Sequence, residues 1–463
     1  MEKTAWGGSE QECGVRDRRN FQVGRNSFKA KRDKPLVKLK QLLTKEVVSW
    51  ALFDFANSAY SILVISLVFS VFFTKHIMEG SRYADLMWGF ALSTGLLLGA
   101  LAAPAIGAIA DYARKRKPLF VFFSLVAIAG TASLYFTGPG TVALAIILFI
   151  ITNFAYELAL VLYDSFLVLI VGSQYAGRIS GLGWGLGYLG GITAAVLLAP
   201  LYRGDYPGRE SLFMLTFPLT ALFFLVFAMP AFLNLHEKGD KLRARIPFLI
   251  GHGFHRALHT LKHVKHYANI FKFLIGYYLV TNGLFTLISF TGIFAVRTLG
   301  LSLNDVLILF LIIHAVGLPA TIYAGHLADK IGHKKVLLAS IVGWVVATVW
   351  MAYITAPWMF YVLAVIGGLV LGTTQAVGRA FLSHLVPIEN SAELFGFNGL
   401  ASKVAATIGP LVFGAISAVT ANQRMAVLSL VLFFVASFLV LLTVKERRTL
   451  PIREVLHDEA AAQ

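Results

Sequence analysis

Two charged turns interrupt long apolar runs of this chain in the same way. The first is residues 107–119, GAIADYARKRKPL, and the second is residues 325–337, GHLADKIGHKKVL. Laid over each other without gaps, Gly107 falls on Gly325, Asp111 on Asp329, Arg116 and Lys117 on Lys334 and Lys335, and Leu119 on Leu337. The offset, 218 residues (325 minus 107), is close to half of the 463-residue chain. A repeat at that distance means one structural unit used twice. That unit cannot cover itself with charge. Only 14% of the residues are charged and 57% are hydrophobic, whereas a soluble domain carries about 25% charged residues. The outside must face lipid.

A helix needs about 20 apolar residues to cross the hydrocarbon core. Twelve segments qualify: near 49–74, 86–112, 118–137, 142–171, 178–201 and 211–233, then near 269–296, 303–327, 335–355, 357–384, 394–421 and 424–443. This predicts a basic N-terminal arm (1–48), a six-helix bundle (49–233), a polar linker (234–268), a second bundle (269–443) and a tail (444–463). The arm reads as disordered, ending in a short interfacial helix at 36–48. It is too long and lacks the small-residue site of a cleaved signal peptide. Of the 40 lysines and arginines, 32 fall in or beside segments on one side of the spans, six on the other, and Arg379 and Lys403 within spans. The positive-inside rule then predicts cytoplasmic termini. The net charge of +16 reports topology; it forms no stripe that would suit nucleic acid. A lone cysteine, Cys13, excludes an internal disulfide and offers no metal-ligand spacing.

The second turn, G-x-L-A-D-x-x-G-x-K-K, resembles the hallmark of major facilitator superfamily transporters at Gly325, Asp329, Gly332, Lys334 and Lys335. The first copy departs from it, with Arg114 at the glycine position and Pro118 after the basic run. Further stretches are similar to the vacuolar-effluxer-like branch, also called unknown major facilitators. They are W-A-x-x-D-x-A-N-S-A-Y at 50–60, Tyr156-Glu157 with Tyr163, the glycine-rich 179–191, the run 372–387, and A-E-L-F-G at 392–396. Where that branch tends to read Tyr-Asn and then proline, this chain has Tyr163-Asp164 and no proline. The resemblance implies an all-α membrane protein of twelve helices in two pseudo-symmetric bundles. It also implies that helices 1, 4, 7 and 10 line a central cavity.

Those four segments carry polar stripes. Polar groups in hydrocarbon are costly and usually face a partner or a wet cavity. In the first, Asp54, Asn57, Ser58 and Ser61 share a face; Asp54 reads as a cap or gate contact or as a substrate contact. In the fourth, Asn153, Glu157 and Asp164 share a face. Glu157, near mid-bilayer, is either a proton or ammonium carrier or a structural acid neutralised by Arg379, while Asp164 reads as a gate residue. In the tenth, Gln375 and Arg379 lie on one stripe, and the 218 offset sets Gln375 on Glu157. Arg379 reads as a bidentate carboxylate clamp, or else as an ion-pair partner of Glu157 or Asp164, or a snorkelling group. In the seventh, Asn282 stands out from an aromatic stripe. His314 reads as structural. Six glycines between 181 and 191, with Gly399 and Gly409, read as close-packing surfaces. Three linker histidines, His255, His259 and His263, stack at helical spacing; an interfacial helix explains them better than a metal site.

The resemblance implies a secondary transporter of a small solute, with amino acids or similar metabolites favoured and efflux preferred. No nucleotide-binding loop is present to drive it with ATP, which leaves protons as the expected coupling ion. No cofactor, metal or nucleic acid is expected, and neither a nucleophile–base pair nor a metal cluster lies within the spans to suggest an enzyme. A monomer is expected in the cell membrane, or in a vacuolar-type membrane of a eukaryote. A carrier of lipid-like solutes and a non-transporting sensor remain alternatives. The repeated turns, through Asp111, Arg116, Gly325, Asp329, Lys334 and Lys335, are expected to hold the cytoplasmic side shut by ion pairs.

Overall fold

The computed structural model describes residues 43–112, 115–171, 173–203, 208–237, 268–385 and 403–446. Most of the basic arm, residues 238–267 of the linker with His255, His259 and His263, Gly399 and the run 392–396 lie outside them. Among the described residues, twelve helices are long and apolar enough to cross a membrane. In order they are α1 (Lys45–Ile77), α2 (Ala84–Tyr112), α3 (Arg116–Ser133), α4 (Val142–Val171), α5 (Ser173–Tyr202) and α6 (Glu210–Asn234). The second six are α7 (Ala268–Arg297), α8 (Leu303–Ile331), α9 (His333–Ala352), α10 (Pro357–Leu385), α11 (Lys403–Thr420) and α12 (Gln423–Leu442). We call the side where α1 begins and α12 ends the terminal face, and the opposite side the far face.

These segments form helices because a chain in lipid must satisfy its backbone internally. Their ends carry local signals. Ser302 and Asp305 form a reciprocal capping box at the start of α8. Gly332, at φ +104°, turns the corner into α9, a conformation a side chain would strain. α1 is not uniform: Ser61–Leu67 and Phe73–Ile77 are π-helical, widened turns that commonly mark functional positions.

Packing repeats with the sequence. In the first half α1 lies on α5 and α6, and α4 on α2 and α3. In the second, α7 lies on α11 and α12, and α10 on α8 and α9. The α1–α5 contact runs along Gly183, Gly187 and Gly190, spaced at about one turn each, with Gly191 beside them. A Cβ on Gly190 would collide with the Phe55 carbonyl, while Gly181 and Gly185 face open space. Four of the six expected packing glycines therefore do that job.

The halves meet along α2–α11, α1–α7 and α5–α8. On the far face the seam is polar. Asp85, 1% exposed, accepts from Arg297 Nη1 (2.8 Å), Ser417 Oγ (2.5 Å) and Gln423 Nε2 (2.7 Å). One residue of α2 thus binds α7, α11 and α12 together. The other Arg297 amine donates to the Gly80 and Ser81 carbonyls at 2.9 and 3.2 Å, and deeper in, Ser93 donates to the Thr407 carbonyl at 2.7 Å. Backbone contact completes the seam: Gly89 lies against Pro410, Gly414 against Asp85 and Leu86, and Gly292 against the Ser66 carbonyl.

Two outcomes follow. Gly190→Ala should lower the melting temperature of the purified protein, by overpacking worth about 1–3 kcal/mol, whereas Gly185→Ala should leave it unchanged; equal effects would mean that the close approach of α1 and α5 is not needed. Asp85→Asn strands the Arg297 guanidinium at a cost of about 3 kcal/mol. In a Cys13→Ser, Ser93→Cys background it should speed thiol labelling from the far face, and an unaltered labelling rate would remove Asp85 from the seam.

Candidate substrate cleft between the halves

The wall formed by α1 and α4 is built from aromatic residues. Trp50 stacks on Tyr163 at 4.6 Å and donates its indole N–H to the Tyr163 carbonyl at 3.1 Å. Tyr60 and Tyr156 meet at 4.5 Å. The W-A-x-x-D-x-A-N-S-A-Y run and the two tyrosines of α4 therefore form one joint. Asn57, 5% exposed, belongs to that joint: its amide donates to the Phe53 carbonyl (2.9 Å) and to Asp54 (3.3 Å), and its oxygen accepts from Tyr156 (3.2 Å). Asp54 is half-buried beside the Tyr163 hydroxyl. Asn153, fully buried, accepts from Tyr60 at 3.4 Å. Its amide nitrogen has no partner among the described residues. Gly95 and Gly99 let α2 lie directly on Asn153 and Glu157.

The charged groups converge from four helices. Glu157, 7% exposed, is bound by Lys403 of α11: the ammonium donates to Oε2 at 2.5 Å and to the Glu157 carbonyl oxygen at 3.2 Å. This corrects the expectation that Arg379 neutralises it. The Arg379 guanidinium instead lies over the Trp184 ring of α5, 5.3 Å from its centre, and its Nε reaches the Gln375 carbonyl at 3.4 Å. Arg379 is exposed and Gln375 half-buried, so the residue aligned with Glu157 by the repeat does not face it as a partner. Asp164, two turns beyond Glu157 on α4, is exposed and forms no hydrogen bond or ion pair among the described residues. Lys403, Arg379 and Glu157 all act on it electrostatically, and it acts in turn on Asp54. An exposed carboxylate and an exposed guanidinium from opposite halves thus act on each other, with no ion pair between them among the described residues.

Other expected residues point elsewhere. Asn282 is 2% exposed, and its oxygen accepts from the Gly409 N–H at 2.8 Å. It fastens α7 to α11 inside the second half, because α11 is broken at residues 406–407 and the amide beyond the break needs an acceptor. His314 bonds the Phe310 carbonyl at 2.6 Å and meets the Tyr188 ring edge-on at 4.8 Å, on the α5–α8 seam.

The charged turns are tied to the ends of their own halves. In the second, Glu446 accepts from the His333 and Lys334 backbone N–H groups at 2.7 and 3.3 Å, while Lys334 Nζ donates to the Leu442 and Val444 carbonyls at 2.7 Å each. The first repeats this: Glu237 accepts from Arg116 N at 2.9 Å and Lys117 Nζ donates to the Leu233 carbonyl at 3.1 Å. A glutamate just after the last helix of each half therefore caps the third helix of that half, where a negative charge is favoured. Asp329 is 77% exposed and approaches His333 at 3.7 Å; Lys335 is exposed, and a side chain on Gly325 would meet open space. Asp111 lies in α2, its side chain outside the described set. Asp85, Glu237 and Glu446 belong to no motif in the sequence, and Lys403, though it falls within a span, is assigned no partner there. For Lys403 a signal existed, since an ammonium inside a span is too costly to lack a partner.

Comparison with known proteins agrees with this architecture. The chain aligns with a "MFS-type transporter YxiO" of Bacillus subtilis at 28% identity, over 90% of this chain and 98% of the relative. It aligns with "Autophagy-related protein 22" of Kluyveromyces lactis at 24% identity, over 80% and 81%. Among solved structures, a D-xylose–proton symporter superposes with a TM-score of 0.64 at 16% identity, over 88% of this chain and 99% of that one. A bacterial homologue of the human lysosomal transporter Spinster, inward-facing and unoccupied, gives 0.57 at 14% identity, over 89% and 99%. Residues 14–195 match the Major Facilitator Superfamily, and residues 171–451 match the family described as "Vacuole effluxer Atg22 like". The protein is a multi-pass membrane transporter of the major facilitator type and belongs to the vacuole effluxer Atg22-like family.

Proposed function

We propose that this transporter moves small zwitterionic metabolites, amino acids above all, by alternating access. The observation that carries the reading is an exposed carboxylate and an exposed guanidinium on opposite halves, neither in an ion pair among the described residues. Asp164 of α4 offers an acceptor to an ammonium, and Arg379 of α10 offers a fork to a carboxylate. The ring of Trp184 beneath the guanidinium holds the fork flat and leaves its outer N–H edge to a ligand. A solute joining the two would bridge the halves, where carriers built from repeats hold their substrates. The closed far-face seam supports reading this state as open toward the terminal face. With the basic residues inside, that face is cytoplasmic and the solute enters from the cytoplasm or is released to it. The family's description as vacuole effluxers supports efflux, and protons remain the coupling ion we favour.

Counterflow in reconstituted vesicles tests this. A zwitterionic amino acid such as L-alanine should exchange, and D-xylose and a lysolipid should not; exchange of the lysolipid alone would overturn the reading. Arg379→Lys should reduce alanine exchange about tenfold, because lysine keeps the charge but cannot form the planar fork. Asp164→Asn should do the same. Unchanged exchange in both variants would take these residues out of recognition.

A further inference from the structure

We infer that Lys403 is a charge filter, which by occupying Glu157 keeps the cleft from taking solutes with an additional ammonium. The inference rests on the cleft being the transport site but not on amino acids being the solute. Lys403 Nζ spends two donors on one residue, Glu157 Oε2 and the Glu157 carbonyl oxygen. That is the satisfaction a primary ammonium ligand would seek there. The pair is not wholly sealed: the Lys403 side chain is 22% exposed and that of Glu157 10%. Nor is it needed to hold α11 on the first half, because the Ser417–Asp85 and Ser93–Thr407 bonds and the Gly89–Pro410 contact already do so.

Charge matching then sets the selectivity. Among the described residues, the groups acting on one another here are Asp54, Glu157 and Asp164 against Arg379 and Lys403. Asp54 accepts from the neutral Asn57 amide, which leaves its charge in place. Lys403 on Glu157 takes one acid and one base out of the set a solute meets. Without Lys403, Glu157 stands bare in a poorly solvated site and selects an additional ammonium. Without Glu157, the bare Lys403 selects an additional carboxylate. An unpaired buried charge is costly enough to outweigh the other contacts of a small solute.

The test compares L-alanine, L-lysine and L-glutamate in counterflow by the full chain. Lys403→Gln should raise the lysine-to-alanine ratio about tenfold or more, Glu157→Gln should raise the glutamate-to-alanine ratio likewise, and the double variant should return to the wild-type ratios. A pair that serves stability alone would depress all three solutes alike, and that result overturns the inference. If Lys403→Gln does not purify, Glu157→Gln carries the same comparison through glutamate. A second arm needs no transported solute. Propylammonium chloride, against sodium chloride at equal ionic strength, should raise the melting temperature of Lys403→Ala but not of wild type or of Glu157→Gln/Lys403→Ala; absence of that rescue also overturns the filter. Failure of wild type to move any amino acid, with the rescue intact, would sink the amino-acid reading and leave the filter standing.

Discussion

A carboxylate shut between two helix bundles cannot remain there without donors, and this constraint organises the protein. Asp85 is the clearest case. It is withdrawn from solvent, and its three donors come from three helices of the other half. Removing water from such a group costs several kcal/mol, so the seam is stable only while all three helices stand in register with α2. The small residues around it, Gly89 and Gly414, serve the same end, letting backbones approach until short polar side chains can reach. Separating the far face means exposing the carboxylate to water and giving up those partners together. That is what makes the seam two-state and not gradually compliant.

The same constraint explains how far the fold could be read without coordinates. Twelve apolar runs and a repeated turn are one-dimensional signals, and the helices fall where the runs lie; α1, beginning at Lys45, takes in residues assigned to the arm. Pairings between charges are three-dimensional, and no sequence periodicity reports them. Glu157, Asp164 and Arg379 were recognisable as intramembrane charges, yet Arg379 goes to an aromatic face and Glu157 to a lysine 246 residues away. Neither Lys403 nor Asp85 belongs to a local pattern, and their partners lie on other helices. Asn282 shared a plausible stripe, but the need of a broken helix for an acceptor took it out of the cleft.

That break also gives α11 its place in the mechanism. At residues 406–407 the helix is interrupted; the Thr407 carbonyl goes to Ser93 of α2 and the Gly409 amide to Asn282 of α7. Pro410 lacks the N–H that would have continued the ladder. On one side of the interruption is the turn bearing Lys403, and on the other the rigid run to Ser417, which donates to Asp85. Lys403 bonds α4 and Ser417 bonds α2, so the segments on both sides of the break are tied to the first half. The segment bearing Lys403 and the run to Ser417 are joined through a junction that Ser93 and Asn282 hold. A discontinuous helix transmits only what its junction can bear, so two neutral hydrogen bonds link the two places where α11 meets the first half.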